Sequence, residues 1–358
     1  MAGLLFIVFM ILVALAGPFI RPDHTTNAND QQVQISRQKP VLRITQLRIF
    51  KGETTPPGAW EKWISYGWDN DYTWKAVVPV ETTAKGIAYH EFDSPISSLQ
   101  SPVKFIPFAD CAPHGTDWSD QEKLDWLHTY TLVEKTYWLG TDRYGRDLLS
   151  RLMAGSAISL SVGFIAVLIS LFVGMTFGVL AGFYGGWVDK FIMWIINVMW
   201  SIPTLLLVLA IVFAFGKGFD KVFIAVGLTM WVEVARVVRG QVLSVRELQF
   251  VEAGRALGFS DARIMFVHIL PNVLAPVIVI SAANFASAIL IEAGLSFLGI
   301  GAQIPIPSWG NMIKEHYALI TTDLAYLSIL PGVMIMLLVL SFMLVGNGLR
   351  DALDVQTR

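Results

Sequence analysis

ISLSVGFIAVLISLFVGMTFGVLAGF, from Ile158 to Phe183, runs for 26 residues without a charge. At about 1.5 Å of rise per residue, a helix of that length covers the roughly 30 Å hydrocarbon core of a bilayer with residues to spare. Backbone groups in hydrocarbon must pair within their own segment, so a run of this kind is read as a membrane-spanning helix. Gly174, Gly178, Gly182 and Gly186 recur at strict four-residue spacing along it and just beyond. Such a stripe lets two helix backbones approach closely where lipid supplies no hydrophobic driving force, so helix packing is its expected role.

Five further runs flank this one: Ala2 to Ile20, Phe191 to Phe215, Val222 to Val238, Ile269 to Ile291 and Leu324 to Gly346. Six transmembrane helices make an all-α polytopic membrane protein. The composition agrees, with 54% hydrophobic residues and 15% charged ones against about 25% in soluble domains. A formal net charge of -2 offers neither a polyelectrolyte surface for nucleic acid nor an acidic tail. The single cysteine, Cys111, excludes an intrachain disulfide framework and a Cys-rich metal site. His24, His90, His114, His128, His268 and His316 show no ligand spacing, so no metal and no cofactor is expected. The first run starts at the chain's own beginning with no basic region before it. Ala14-Leu15-Ala16 resembles a signal-peptide cleavage site, but a retained helix is the expectation.

The charges sort by position. Arg21 to Ser156 holds 15 of the 26 Lys+Arg and 17 of the 28 Asp+Glu, which marks a water-facing segment. Seven of the twelve tryptophans (Trp60, Trp63, Trp68, Trp74, Trp118, Trp126, Trp138) lie in it, too aromatic for a disordered linker, so a small folded insert is expected. Thr54-Thr55-Pro56-Pro57-Gly58, Asp69-Asn70-Asp71, Ser94-Pro95 and Ser101-Pro102 punctuate it as loops. Alternation over Val78 to His90 predicts strands and the pattern over Ser119 to Thr131 a short helix, giving an α+β insert. It is either a docking surface for an outside partner or a lid with none.

Orientation follows from the shorter connections, because long loops cross regardless of charge. Arg236, Arg239, Arg246, Arg255, Arg263, Lys190, Arg350 and Arg358 fall on one side, against Lys217, Lys221 and Lys314 on the other. The first side is therefore cytoplasmic, the C-terminus with it, and the insert is extracytoplasmic. The predicted organisation is a span over 1–20, the insert over 21–156, a five-helix core over 157–348 with a cytoplasmic loop at 240–270, and a tail over 349–358.

That cytoplasmic loop is the most informative stretch. Ser244-Val245-Arg246-Glu247 fits a capping box, which predicts a helix starting there, running to Leu257 and stopping at Gly258. Ser260 and Asp261 cap a second helix that leads past Leu270-Pro271-Asn272 into the next span, with Pro271 placed to set its angle. Two acids sit inside or at the ends of spans. Glu292 either lines the outer part of a pathway or reaches interfacial water from a helix end. Glu233, one turn from Arg236, is expected to form a local ion pair. Pro203 and the Pro305 to Pro307 segment interrupt helices, as gates or as simple packing kinks.

Glu252-Ala253-Gly254, Gly258, His268 and Leu270-Pro271 at their spacing resemble the EAA loop of binding-protein-dependent ABC importer permeases, with Gly254 where a second alanine is usual and His268 where isoleucine is general. Leu139-Gly140-Thr141-Asp142-Arg143-Tyr144-Gly145-Arg146-Asp147-Leu148-Leu149-Ser150-Arg151 is similar to the LGTDxxGRDxxSR signature of the dipeptide/oligopeptide/nickel branch, C-type subunit. Leu295 to Gly301, Pro305 to Gly310 and Gly348 to Asp354 are similar to its LSFLGxG, PxPSWG and GLRDALDP runs, with Val355 in place of the last proline. The resemblance covers the first span and about Tyr137 to Asp354. Most of Arg21 to Thr136 lies outside it and is longer than the usual loop.

The resemblance implies a type I ABC importer permease fold in a bacterial inner membrane. It implies a coupling loop of Val251, Glu252, Ala253, Gly254, Ala256, Leu257, Gly258, Leu270 and Pro271 for the ATPase. It implies a periplasmic signature of Gly140, Thr141, Asp142, Gly145, Arg146, Asp147 and Arg151. Pathway or gate candidates are Glu292, Ser296, Phe297, Gly299, Pro203 and Trp309. The implied partners are a second, B-type permease subunit, two cytoplasmic ABC ATPases, an extracytoplasmic substrate-binding protein and membrane lipid. A peptide is the implied substrate, ahead of nickel. The chain has no phosphate-binding GxxxxGK[ST] loop, so energy must reach it from a partner. No nucleophile–base or metal constellation supports a membrane enzyme, and a receptor acting through the Trp-rich insert would need no coupling loop.

Overall fold

Asp147 accepts the backbone N–H of Ser150 and so caps the helix that carries the long uncharged run, Leu148–Tyr184. The computed structural model describes residues 1–52, 58–64, 67–68, 71–92, 101–113, 118–216 and 218–353. Its helices are α1 (Ala2–Ile20), α2 (Ala59–Ile64), α3 (Asp120–Trp126), α4 (Leu148–Tyr184), α5 (Gly186–Trp200), α6 (Thr204–Phe215), α7 (Phe219–Val245), α8 (Gln249–Ala256), α9 (Asp261–Arg263), α10 (Leu270–Phe297), α11 (Trp309–His316) and α12 (Tyr326–Leu353). Thr54 to Pro57, Asp69-Asn70, Ser94-Pro95, His114, Lys217, Asp354, Val355 and Arg358 lie outside the described residues.

Among the described residues four helices are long and apolar enough to cross a membrane: α1, α4, α12 and the continuous Asp261–Phe297 rod that joins α9, a π-type turn at Ile264–Ile269 and α10. The expected span Phe191 to Phe215 is not straight. It breaks at Ser201-Ile202-Pro203 into α5 and α6, bent by 97°. Proline has no N–H to continue the ladder and pushes the residue before it out of the α region, which accounts for the break. The expected span Val222 to Val238 is helical within α7. Every 18-residue window of α7 nevertheless holds at least three of Asp220, Lys221, Glu233, Arg236 and Arg239, so it falls short of an apolar span. Six uniform spans thus become four, a bent fifth, and a charged helix.

The glycine stripe packs α4 against α7. A Cβ at Gly174 would lie 2.6 Å from the Cβ of Val234, one at Gly178 2.7 Å from that of Val238, and one at Gly182 2.7 Å from that of Val242. Glycine every fourth residue meets valine every fourth residue, and both series lie on one helix face. Gly186 departs from the expectation: it sits beyond α4 at φ +54 in open space, and with Gly185 (φ +65) it makes the left-handed corner into α5. The first helix belongs to the bundle, since Ile7 and Met10 are buried with Leu148, Leu152, Trp309 and Leu338.

Among the described residues the insert forms a five-stranded antiparallel sheet of β1 (Leu42–Phe50), β2 (Tyr72–Thr83), β3 (Gly86–Glu91), β4 (Lys104–Pro107) and β5 (Leu132–Tyr137), in the order β4-β3-β2-β1-β5. The alternation over Val78 to His90 is the β2–β3 hairpin. Ser119 caps α3 in a capping box with Glu122, as the pattern there predicts, and a π-type turn at Leu127–Thr131 follows. Leu47, Val77, Ile87, Ile106 and Leu127 form its core.

Candidate functional site

Two motif-bearing regions lie at opposite ends of α4. At its N-terminus the signature loop folds into a buried polar hub. Asp142 accepts backbone N–H bonds from Tyr144 (2.8 Å) and Arg146 (3.0 Å), and its second oxygen takes the Arg146 Nε at 2.6 Å. Arg146 is fully buried and also pairs with Glu315 on α11 at 2.9 Å, while Arg151 approaches Asp142 at 3.6 Å. Ser150 accepts the backbone N–H of Asp23, tying in the segment after α1. Gly140 and Gly145 both have φ +74, and a Cβ on either would run into the backbone of Gln38 or Gln32. The hub therefore joins α1, the insert, α4 and α11: Asp142 and Glu315 offset the buried charge of Arg146, while the buried Arg151 guanidinium approaches Asp142 without a hydrogen bond among the described residues. His316 completes it. Its Nε2 accepts the Arg143 backbone N–H at 3.3 Å, and its Nδ1 lies 2.9 Å from the Met312 carbonyl, an arrangement suited to the neutral ring. Burial holds its imidazole below the ordinary value, despite the carboxylates of Asp142 and Glu315 nearby.

The other region connects α7 to α10. Here the capping-box expectation fails: α7 runs through Ser244, whose hydroxyl donates to the Gly240 carbonyl, and α8 begins only at Gln249. An apolar face continuous with Val238 and Val242 carries α7 past that point and outweighs the local cap. The stop at Gly258 (φ +75) holds, with Phe259 N–H donating back to the Gly254 carbonyl at 3.0 Å. Ser260 caps α9 by accepting the Arg263 N–H. Val251 and Gly254 are buried, Val251 among Val242, Ile264 and Met265. Gly254 replaces the usual alanine where a Cβ would come within 3.3 Å of the Phe259 ring. That ring stacks on His268 and carries Arg263 over its face, which accounts for both departures from the motif together. Glu252, Ala253, Ala256, Leu257 and Gly258 form the outer surface, joined by exposed Leu248 and Phe250. Pro271 stands at the second position of α10, where its missing N–H costs nothing. Arg246 donates to the Gly182 carbonyl at 2.8 Å, so the loop is anchored to the far end of α4.

The pathway candidates separate. Glu292 is fully buried in α10, neither lining an open route nor reaching interfacial water; Ser296 donates to it at 2.6 Å and accepts the Ala302 N–H at 3.0 Å, folding the Gly299 turn back on the helix. Trp309 is also buried, its Nε1 donating to the Leu152 carbonyl at 3.0 Å beside Gly155. Phe297 is exposed and Pro203 stands at the break between α5 and α6. Glu233 is a correction. It forms no ion pair among the described residues, since Arg236 lies over the Trp200 ring at 4.3 Å instead. It faces a cavity that sequence reasoning missed, lined also by Trp200, Thr204, Thr229 and Ser287. The isolated acid between uncharged residues was the available signal.

A family model described as "Binding-protein-dependent transport system inner membrane component" matches residues 174–358, just over half of the chain and all of the α7–α10 loop. The chain belongs to this family. As an inner-membrane transport component it is a multi-pass permease subunit, not an enzyme, and its transport depends on a separate binding protein and on partner ATPases. It is similar to the "Dipeptide transport system permease protein DppC" of Alkalihalophilus pseudofirmus, 44% identical over 61% of this chain and 71% of that protein. It is also similar to the "Glutathione transport system permease protein GsiD" of Pectobacterium atrosepticum, 41% identical over 61% and 72%, and to the "Oligopeptide transport system permease protein OppC" of Bacillus subtilis, 37% identical over 63% and 73%. A solved chain of the inward-facing MetNI methionine ABC transporter superposes with a TM-score of 0.47 at 20% identity, covering 56% of this chain and 95% of that one.

Proposed function

We propose that this permease is the C-type subunit of a peptide importer, working beside a B-type subunit and driven by two cytoplasmic ATPases that grip the α8 loop. A peptide cannot cross hydrocarbon with its backbone unpaired, so it needs a route that opens to each side in turn. In this reading six segments cross the membrane, α7 and the bent α5–α6 pair among them. The insert and signature hub stand outside, where the binding protein delivers substrate, and the α8 loop and C-terminal tail are cytoplasmic. The supporting observation is the construction of the α8 loop. Its inner side is locked to α4, α7 and α10 by Val251, Phe259 and Arg246, while its outer side presents Leu248, Phe250 and Leu257 to water. Exposed apolar side chains on a rigid support suit a partner that must push the spans behind them. The names of the relatives put the substrate in the peptide class.

The test is co-purification. Ala253→Arg and Leu257→Asp should leave the chain in the membrane and abolish recovery of the ATPases and peptide uptake. Survival of both would overturn the coupling assignment.

A further inference from the structure

The break between α5 and α6 opens a cavity of about 250 Å³ lined by Met199, Trp200, Thr204, Thr229, Glu233 and Ser287. Glu233 is the fifteenth of the 27 residues of α7. It lies six residues before Arg239, whose Nη2 pairs with Asp189 at 2.7 Å beside the α4–α5 corner. At 1.5 Å per residue it stands about 9 Å inside that boundary and about 21 Å from the other end of the helix. Its carboxylate is open on the surface of this chain and has no cation within pairing distance among the described residues. A charged, unpaired carboxylate at that depth is costly against acyl chains. The face it occupies is therefore covered by water or protein.

We propose that Glu233 is a substrate-recognition residue of the translocation route and takes the terminal ammonium of the peptide, a step that rests on the peptide-importer reading. Peptides of varied sequence share only their backbone amides and termini. The cavity offers a partner for each: the carboxylate for the ammonium, and the Thr204, Thr229 and Ser287 hydroxyls for amide groups. Met199, Met230 and Trp200 supply soft, adaptable walls for differing side chains. The break at Pro203 sets free backbone groups at the same place, tolerated at membrane depth only against a cavity or protein.

The experiment uses the complete importer with its binding protein in proteoliposomes and a tripeptide with a free amino terminus. Glu233→Gln should lower maximal uptake at least about tenfold, the worth of a charged hydrogen bond. ATPase stimulation by the loaded binding protein should be kept, and Glu233→Asp should restore most of the uptake. In the wild-type importer, labelling of Glu233 by a membrane-permeant carbodiimide should slow while the tripeptide is being transported; this readout does not depend on any variant folding. Wild-type uptake with an unchanged Glu233→Gln rate, or labelling indifferent to the peptide, would overturn the assignment alone. A wild-type importer that takes up no tripeptide would overturn the peptide reading with it.

Discussion

The signature hub and the α8 loop are both dense with motif residues, yet they are built inside out relative to each other. In the hub the charged side chains of Asp142, Arg146, Arg151 and Glu315 are buried and turned toward one another, so the motif is read by the chain itself. In the loop, two small or apolar residues, Val251 and Gly254, are buried and most of the motif faces outward. A motif's information content does not say whether a partner or the protein's own core imposes it; burial does. The α4–α7 seam runs between them and is the element through which a push on the loop would be carried toward the hub.

The largest expected effect falls on the hub. Arg146→Ala leaves Glu315 without its cation and Asp142 with Arg151 alone at 3.6 Å, and should destabilise the protein by roughly 3–5 kcal/mol, measurable as lost membrane accumulation and an early thermal transition. Next is the seam. Gly178→Leu forces a side chain against Val238 and the Ala235 carbonyl and should cost roughly 1–3 kcal/mol, with uptake falling more than ATPase binding. His316 sharpens the comparison by pH. Its folded-state value lies below the ordinary 6.5, so beneath that pH the unfolded chain binds a proton that the folded one refuses, and stability falls with acidification. His316→Gln, which keeps an acceptor for Arg143, should flatten thermal stability between pH 7 and pH 5 relative to wild type. The smallest effect on stability belongs to the loop surface: Phe250→Ser should change it by no more than about 0.5 kcal/mol, while ATPase co-purification drops. Equal stability losses for Arg146→Ala and Phe250→Ser would erase the contrast.

Much of this was legible in the chain. The helix over Ala2 to Ile20 matches its uncharged run residue for residue, and the capping signal at Ser260 holds because it is followed by a free helix start. Ser244 misled because an equally good local cap lies within an apolar face that α7 continues to bury. Glu292 and Trp309 resembled pathway residues since an acid and a tryptophan at a helix end are compatible with either water or core; neighbours distant in sequence, Leu152 and Gly155 for Trp309, decide between them. Spacing alone pairs Glu233 with Arg236, whereas the Trp200 ring that takes the arginine lies more than thirty residues away.

Hydrophobic run length and charge distribution, each a property of consecutive residues, determined by themselves that the chain is a helical membrane protein, and its motifs pointed to the permease family. Which charges are buried, where a span bends, and which acid is left without a partner were decided only in three dimensions. Solvation and pairing depend on residues far apart in the chain, and no local pattern carries their positions.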